Sequence, residues 1–363
     1  MHRILTGLLG SALVVSTTLP LSAGATARES SHGRVAAAEP AVGPPVIGNF
    51  KTITTIGSTV DPLNGDRNPH GLTIAPLSGG SIVAGDLIVS NFNDSVNIQG
   101  LGSTLELLAP TTGATPQRLA ADPTLTGPSA LAIGSTFPWV AALDANDNPI
   151  VTDTGAIATS LNNFAWTGPF GQAFVAGPST TAAFYETNAN DGSIVRINLT
   201  SPFTFDKIAT GFPVNHGVPG HILAPSGLTY DPQRDILYFV DGAADAVFSL
   251  RAPGKIKAGG VNFTPFVGFS GPSASSARLL SFGFPLNAPI SSTLLFNGDL
   301  VVGNTGNNDL VEINPFGRAV AVTKVDGGAA GALFGLVASG TSAASTRVFF
   351  NDDNDNTVKV LTP

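Results

Sequence analysis

Cysteine is absent from this 363-residue chain, and charged residues are scarce. Without cysteine no disulfide can hold the fold, and both thiol chemistry and cysteine-ligated zinc are excluded. Charged residues make up 12% of the sequence, and 17 basic against 25 acidic residues give a net charge of −8. A nucleic-acid-binding face needs clustered Lys and Arg. We therefore expect no nucleic-acid partner.

Apolar residues and turn-forming residues are plentiful. The chain is 43% hydrophobic and contains 42 Gly and 27 Pro. This composition argues against a disordered protein, which needs low hydrophobicity and high charge. A chain of this length can bury a core large enough to fold without disulfides, and all-β architectures of such length are often a single domain.

The N-terminus has the pattern of a Sec-type signal peptide. The short basic start MHR precedes a mostly apolar stretch at 4–15, and ATA at 25–27 is a small-x-small cleavage site. This stretch is too short to span a bilayer, and no run of about 20 apolar residues occurs later. We expect a signal peptide at 1–27 and a disordered lead-in at 28–45. The mature protein should then be secreted or periplasmic, without a membrane span.

Several segments of the chain share one pattern: an apolar run, Asn or Asp, a polar loop, and an apolar–polar–apolar triplet. The four clearest copies are GDLVVGNTGNNDLVEIN ending at 314, DILYFVDGAADAVFSLR ending at 251, TAAFYETNANDGSIVRIN ending at 198 and RVFFNDDNDNTVKVL ending at 361. Counting back nine residues from the end of each triplet reaches Asn304, Asp241, Asn188 and Asn351. A fifth copy keeps Asn91 but inserts seven residues before its triplet. A sixth unit, 127–165, matches worst, and the position of its polar residue stays open.

Each unit predicts a small β-meander. Runs of four to six residues that are rich in Val, Ile, Leu and Phe and are bounded by Gly, Pro, Asn and Asp are strand signals. The triplets have the period of two of a strand, with the polar residue facing outward. Units of 45–60 residues that cannot bury both faces alone indicate a closed, stacked array such as a propeller. The last copy lacks one strand, and we expect the N-terminal strand at about 48–57 to complete it beside 358–361.

The segment VVGNTGNNDLVEINPFG resembles the NHL repeat, an apolar strand followed by Asp or Asn, a Thr-Gly-Asn-Asn-like turn and a second apolar strand. Together with NPHGLT, GDLIVSNFNDSVNIQGLGSTLE and APSGLTYD, it looks like a group of exported bacterial NHL-like proteins. The resemblance covers about 46–363. It implies an all-β, six-bladed β-propeller of four-stranded antiparallel blades in a single domain at 46–363. Such propellers host unrelated activities, so the resemblance implies the fold alone.

The repeated Asn and Asp residues have two interpretations. They could converge around the central axis and bind a cation or a polar ligand. Alternatively, they begin turns, because their short side chains bond nearby backbone N–H groups and tolerate unusual backbone angles. A residue present in nearly every copy serves every blade, which favours the turn interpretation.

Two metal hypotheses also follow. The sequence NDDNDN at 351–356 offers the oxygen ligands that calcium prefers, although it lacks the Gly and distal Glu of the helix–loop–helix calcium site and could be a surface turn. His70 precedes an inner strand in the register that holds Ser129 and Ser226, and His216 and His221 flank a loop. Related amidating lyases place zinc on the propeller axis with His ligands, so these three could ligate zinc, or they could be exposed or capping residues.

We expect a monomeric binding or interaction module whose ligand lies at the mouth of the central channel, where the loops 92–103 and 212–224 are longest. The partner could be a small molecule, a peptide or a protein. The alternative is a lyase or lactone hydrolase that uses zinc or calcium in the channel. The channel-mouth candidates are His70, Asn91, Asn188, His216, His221, Asp241, Asn304 and Asn351.

Overall fold

The computed structural model describes residues 43–162 and 165–363. The expected signal peptide and most of the expected lead-in lie outside these residues. Within the described part of the chain, no helix is long and apolar enough to cross a bilayer.

The described residues form strands joined by short turns and loops. The first twelve strands are β1 (Thr52–Ser58), β2 (Arg67–Ile74), β3 (Leu87–Asn93), β4 (Thr104–Leu108), β5 (Gln117–Ala121), β6 (Pro128–Ile133), β7 (Pro138–Ala142), β8 (Pro149–Val151), β9 (Ile157–Ser160), β10 (Pro169–Gly177), β11 (Thr180–Asn188) and β12 (Ser193–Asn198). The others are β13 (Thr204–Thr210), β14 (Pro225–Asp231), β15 (Ile236–Asp241), β16 (Ala246–Arg251), β17 (Val261–Thr264), β18 (Gly268–Ser270), β19 (Ala277–Phe282), β20 (Pro289–Leu294), β21 (Leu300–Asn304), β22 (Asp309–Ile313), β23 (Ala319–Lys324), β24 (Leu333–Ser339), β25 (Arg347–Asp352) and β26 (Thr357–Thr362). Short 3-10 helices cover Ile47–Asn49, Pro123–Leu125, Pro253–Lys255, Ala274–Ser276 and Ala343–Ser345.

These strands build six sheets, which are the blades of a six-bladed β-propeller. From the inner to the outer strand, blades 1 to 5 are β2-β3-β4-β5, β6-β7-β8-β9, β10-β11-β12-β13, β14-β15-β16-β19 and β20-β21-β22-β23, and blade 6 is β24-β25-β26-β1. The predicted fold class is therefore confirmed. Blade 3 departs from four strands, because the hairpin β17-β18, inserted between β16 and β19 of blade 4, pairs in parallel with β13.

Blade 6 closes the ring as the sequence predicted. Strand β1 runs antiparallel to β26, and Ile53 pairs with Leu361 and Thr54 with Val360. The residues just before β1 reach back to blade 5, where the backbone N–H groups of 46 and 47 donate to the Glu312 carboxylate at 2.8–2.9 Å. The N-terminal segment therefore fastens two blades.

The core consists of apolar clusters between neighbouring blades. Six clusters of buried side chains occupy the six blade interfaces, and a seventh lies beneath the mouth of the channel. Near the axis each inner strand has a small residue at its third or fifth position, because the blades approach closely there. A Cβ at Gly335, for example, would lie 2.5 Å from the carbonyl oxygen of His70. Glycine at this position lets blade 6 pack against blade 1.

The register of the strands completes the predicted repeat and corrects it in one blade. In blade 5, Asn304 pairs with the first residue of the inner strand. In blade 6 the residue that pairs with the first residue of the inner strand is Asp352. Asn351 therefore lies one position too early to be the counterpart of Asn304. Because Asn351 and Asp352 are adjacent polar residues, the sequence pattern fits with either of them at the repeated position. In blade 2, whose polar position the sequence left open, the counterpart is Ala142.

The polar residues of the triplets do not all face outward, which corrects another expectation. Glu106 and Glu312 are both fully buried. Glu312 lies under the N-terminal segment, and Glu106 lies beside Asp61, where burial and the hydrogen bond with that carboxylate raise the pKa of Glu106 to about 10. The period of two identifies the strand, but it does not predict that another segment of the chain covers the outer face of that strand.

Candidate functional site

The six inner strands surround a central channel with a volume of about 360 Å³. In each inner strand a Pro or Leu pairs with the repeated position of the second strand. The residue that follows this Pro or Leu contributes to a ring at one end of the channel. The ring consists of His70, Ser129, Phe170, Ser226, Ile290 and Phe334. The predicted common register of His70, Ser129 and Ser226 is thus confirmed by the strand pairing.

Above the ring lies a second cavity of about 410 Å³, which we call the mouth pocket. Its floor is apolar and consists of Phe92, Leu143, Phe170, Ile290 and Phe334, with His70 among them. Polar residues form its rim: Asn68, Gln99, His221, Thr305 and Asp353. Both loops that the sequence singled out, 92–103 and 212–224, contribute to the wall. These two loops therefore meet at the mouth of the channel.

His70 is held between two aromatic rings. Its ring centroid is 4.0 Å from that of Phe92 and 3.8 Å from that of Phe334, with the planes within 16° of parallel. The side chain is buried, and burial lowers the pKa of His70 to about 3, so the imidazole is neutral at physiological pH. Its Nε2 atom has no hydrogen-bond partner. His70 is thus a neutral polar residue, with one unpartnered nitrogen, in an apolar floor.

The repeated Asn residues lie at or near the ends of strands β3, β11, β21 and β25, and they do not line the channel or the mouth pocket among the described residues. The side-chain amides of Asn91, Asn188 and Asn304 each donate to a backbone carbonyl in the segment that leads into the same blade, at 2.8–2.9 Å. Asp241 instead accepts the N–H groups of 243 and 244 in its own turn. Asn351 donates to the backbone of blade 1 at His70. These contacts favour the structural interpretation.

The NDDNDN turn is occupied by contacts within the protein. Lys359 Nζ lies 2.7 Å from Asp352 and 2.9 Å from Asp355. Asn354 donates to Asp326 in the loop after blade 5, and Asn356 accepts the backbone N–H of Asn68 in blade 1. Two of its three carboxylates are paired to lysine and its amides bond to neighbouring blades, so the turn joins three parts of the ring.

The three histidines of the zinc hypothesis are not brought together as a ligand set. His70 lies in the floor of the mouth pocket and His221 on its rim, whereas His216 is an exposed loop residue with a φ of 51°. Within residues 43–162 and 165–363, no three His, Asp or Glu side chains are grouped so that they could hold a metal ion. The described residues therefore do not fit the zinc site that the sequence suggested.

Sequence reasoning missed several residues of the site. Phe92, Phe170 and Phe334 form the floor of the mouth pocket, and none of them was among the channel-mouth candidates. Gln172 lines the channel and bonds to Glu186 behind it. The repeat alignment contained a signal for Glu186, because it stands where the other copies have Val or Phe. The two tryptophans, at 139 and 166, pack in the interface between blades 2 and 3.

No protein-family model and no curated protein matches the sequence. Solved structures share the fold at low identity. Virginiamycin B lyase from Staphylococcus aureus, in a catalytically inactive form with quinupristin, is 14% identical, with 86% of this chain and 99% of that chain covered and a TM-score of 0.51. A nidogen/laminin complex is 13% identical (77% and 87% covered, TM-score 0.55). The calcium-binding protein regucalcin from Agrobacterium tumefaciens strain C58 is 15% identical (85% and 95%, 0.52). These likenesses establish the propeller fold alone.

Proposed function

We propose that this protein is a binding module that takes up a small organic molecule in the mouth pocket. The observation that carries the proposal is the composition of the pocket: an apolar floor of buried aromatic and aliphatic side chains beneath a polar rim. Pockets that bind small molecules are mostly apolar and hold a few polar groups that orient the ligand. A cavity of about 410 Å³ matches the size of such sites.

The floor supplies most of the affinity in this proposal. Phe92, Leu143 and Phe170 are buried beneath the loops, and Phe334 stacks on His70. A ligand that covers the part of the floor that is still exposed removes that apolar surface from water, at about 25 cal/mol per Å². Because the floor is held by inner strands of four blades, it is formed before the ligand arrives, and little ordering cost opposes binding.

The rim supplies orientation. Asn68 is 1% exposed, and its Oδ1 atom has no partner. Asp353 also lines the rim, and burial, reinforced by the charge of Asp352, raises its pKa to about 6. An unpartnered buried acceptor is costly unless a ligand donates to it. A bound molecule with an N–H or O–H group would satisfy Asn68.

The test uses N-phenyl-1-naphthylamine, an uncharged aromatic amine whose fluorescence rises in apolar surroundings. We expect saturable binding of one molecule per chain. Ala330 is an exposed residue in the pocket wall, so Ala330→Trp should fill the mouth without disturbing the core. We expect at least tenfold weaker binding to this variant.

The matched control is Ala258→Trp, which adds the same ring at an exposed alanine outside the pocket. It should bind the probe like the wild type. Equal affinity of the Ala330→Trp variant and the wild type would show that the probe binds elsewhere, and the proposal would then be wrong.

A further inference from the structure

One pair of residues in the channel wall breaks the pattern of the propeller. Gln172 on β10 pairs across the strands with Glu186 on β11, and both side chains are buried. In four other blades the corresponding cross-strand pairs are Leu72–Val89, Leu131–Val140, Leu228–Phe239 and Leu336–Phe350, and in blade 5 the pair is Ser292–Val302, with one polar member. Four blades thus pack two apolar side chains where blade 3 places an amide and a carboxyl group. A buried polar pair does not stabilise a fold more than an apolar pair of similar size. Stability therefore does not explain the polar pair of blade 3.

Glu186 gathers two amide groups on one of its oxygens. Gln172 Nε2 donates to Glu186 Oε2 at 2.9 Å, and Asn148 Nδ2 of blade 2 donates to the same atom. The nitrogen and oxygen of an amide are attached to one carbon, so these bonds fix the direction of Gln172 Oε1 and Asn148 Oδ1. Neither oxygen has a hydrogen-bond partner. Glu186 therefore holds the Gln172 amide with its acceptor oxygen free.

The free oxygen of Gln172 differs from several other polar groups of the channel wall, which form hydrogen bonds within the protein. Ser129 Oγ donates to two backbone carbonyls, and Thr229 and Ser292 bond to each other at 2.8 Å. Ser226 Oγ, in contrast, is buried without a partner. It belongs to the inner strand next to β10. Gln172 and Ser226, on adjacent blades, thus both line one channel, and each contains a buried polar atom without a partner.

The charge of the wall limits what can bind there. Among the described residues that line the channel there is no Asp, Glu, Lys or Arg, and His70 is neutral. Moving a charged group from water into such a wall has a large desolvation cost that no opposite charge repays. An uncharged group avoids this cost.

We propose that the upper channel binds an uncharged hydrogen-bonding group of the ligand, an amide or a hydroxyl, which donates to Gln172 Oε1 and bonds to Ser226 Oγ. Glu186 and Asn148 are positioning residues that orient Gln172. This inference rests on the proposed function, because the ligand reaches the channel through the mouth pocket. It adds the chemical class of the ligand: an apolar body with a neutral polar end.

The test compares ligands of one size and different charge at pH 7 by titration calorimetry. Benzamide carries a neutral amide, benzoate is its anionic counterpart and benzylamine its cationic one. We expect benzamide to bind at least tenfold more tightly than either charged compound. Equal affinity for benzoate or benzylamine would overturn the assignment of an uncharged ligand.

Variants test the positioning role. Glu186→Val introduces the side chain of blades 1 and 2 and removes the acceptor that holds Gln172, so benzamide affinity should fall at least tenfold. Glu186→Gln keeps an acceptor oxygen and should retain affinity within about twofold. A purely structural role of Glu186 would leave benzamide affinity unchanged in both folded variants, which would contradict the proposal.

The naphthylamine probe separates this inference from the proposed function. It fills the mouth pocket and does not need Gln172, so it should bind the Glu186→Val variant like the wild type. If the probe binds and benzamide does not discriminate by charge or by variant, the channel inference fails while the mouth pocket stands. If the probe itself does not bind the wild type, the proposed function fails first.

Discussion

Blades 6 and 3 depart from the common blade in opposite ways. Blade 6 is assembled from both ends of the propeller sequence, with β1 beside β26. Its inner pair, Leu336–Phe350, is apolar like those of most blades. Blade 3 comes from one continuous stretch of chain, apart from the added hairpin, but its inner pair is Gln172–Glu186. The first blade is unusual in connectivity, and the second is unusual in chemistry.

The comparison shows that features which stabilise the propeller and features proposed for binding lie in different blades. The extra connection of blade 6 adds backbone hydrogen bonds and apolar burial, so it stabilises the ring. The polar pair of blade 3 replaces apolar burial with oxygens that lack partners, so it destabilises the ring. Sites that break a structural rule without a structural gain are expected where function resides. Exchanging features between the two blades tests this division.

The largest effect should follow removal of the closing strand. Deleting residues 46–58 exposes β26 as an open edge and removes the buried side chains of Val46, Ile47, Phe50 and Ile56. Each of these contributes about 1.5–3 kcal/mol on burial. We expect the melting temperature, followed by circular dichroism, to fall by more than about 10 °C.

The matched deletion removes residues 43–45, which precede the anchored segment and are largely accessible. This variant should melt like the wild type. If the two deletions had the same melting temperature, β1 would not close the ring in solution, and blade 6 would be an ordinary blade with a loose strand beside it.

The closing strand also shows how far the fold could be predicted from sequence. Counting strands in the last repeat left one place empty, and only the segment at 48–57 remained to fill it. The period of two gave the strands, but the outward placement of Glu312 was wrong. The reason is physical: the residues that cover Glu312 are more than 260 positions away, and a local pattern contains no information about them.

A smaller but still large effect should follow the transfer of the polar pair from blade 3 to blade 6. The double variant Leu336→Gln/Phe350→Glu buries an amide and a carboxyl group without the donor that Asn148 supplies in blade 3. We expect a loss of about 4 kcal/mol in the free energy of unfolding, measured with urea, from lost burial and unsatisfied polar groups.

The reverse exchange in blade 3 is the matched comparison. Gln172→Leu/Glu186→Val gives blade 3 the inner pair of blades 1 and 2, and replacement of buried polar groups by apolar ones is often neutral or stabilising. We expect its free energy of unfolding to stay equal to that of the wild type or to rise. A loss as large as that of the blade 6 variant would mean that the polar pair stabilises blade 3, and the division argued above would not hold.

The site was less predictable than the fold, for reasons that particular residues show. His70 was a candidate in the sequence because it stands in the inner-strand register that holds Ser129 and Ser226. Glu186 departs from the repeat pattern, but its role depends on Asn148 in another blade and on the missing partner of Gln172 Oε1, and neither contact is visible in one sequence. The acidic NDDNDN turn was conspicuous and proved to be engaged with Lys359 and neighbouring loops. Composition marks polar residues, whereas only geometry shows which of them are unsatisfied.

The smallest expected effect concerns the pH dependence of blade 3. In blade 6 the buried carboxylate of Asp352 forms an ion pair with Lys359, whereas Glu186 forms no ion pair with any described Lys or Arg. Burial raises the pKa of Glu186 well above its ordinary value of 4.5. The folded state therefore keeps the proton that the unfolded state loses above pH 4.5. Stability from this group is present below pH 4.5 and is lost as the pH rises.

Glu186→Gln removes this titration while keeping the shape of the side chain. Between pH 5 and 6 the free energy of unfolding of the variant, relative to the wild type, should increase by about 1 kcal/mol, since one proton per molecule corresponds to at most about 1.4 kcal/mol per pH unit. Near pH 4 the two proteins should differ by a constant amount, which provides the internal control. If the two curves of unfolding free energy against pH were parallel across the whole range, Glu186 would be ionised in the folded protein. The proposed electrostatic difference between Glu186 in blade 3 and the paired Asp352 in blade 6 would then be wrong.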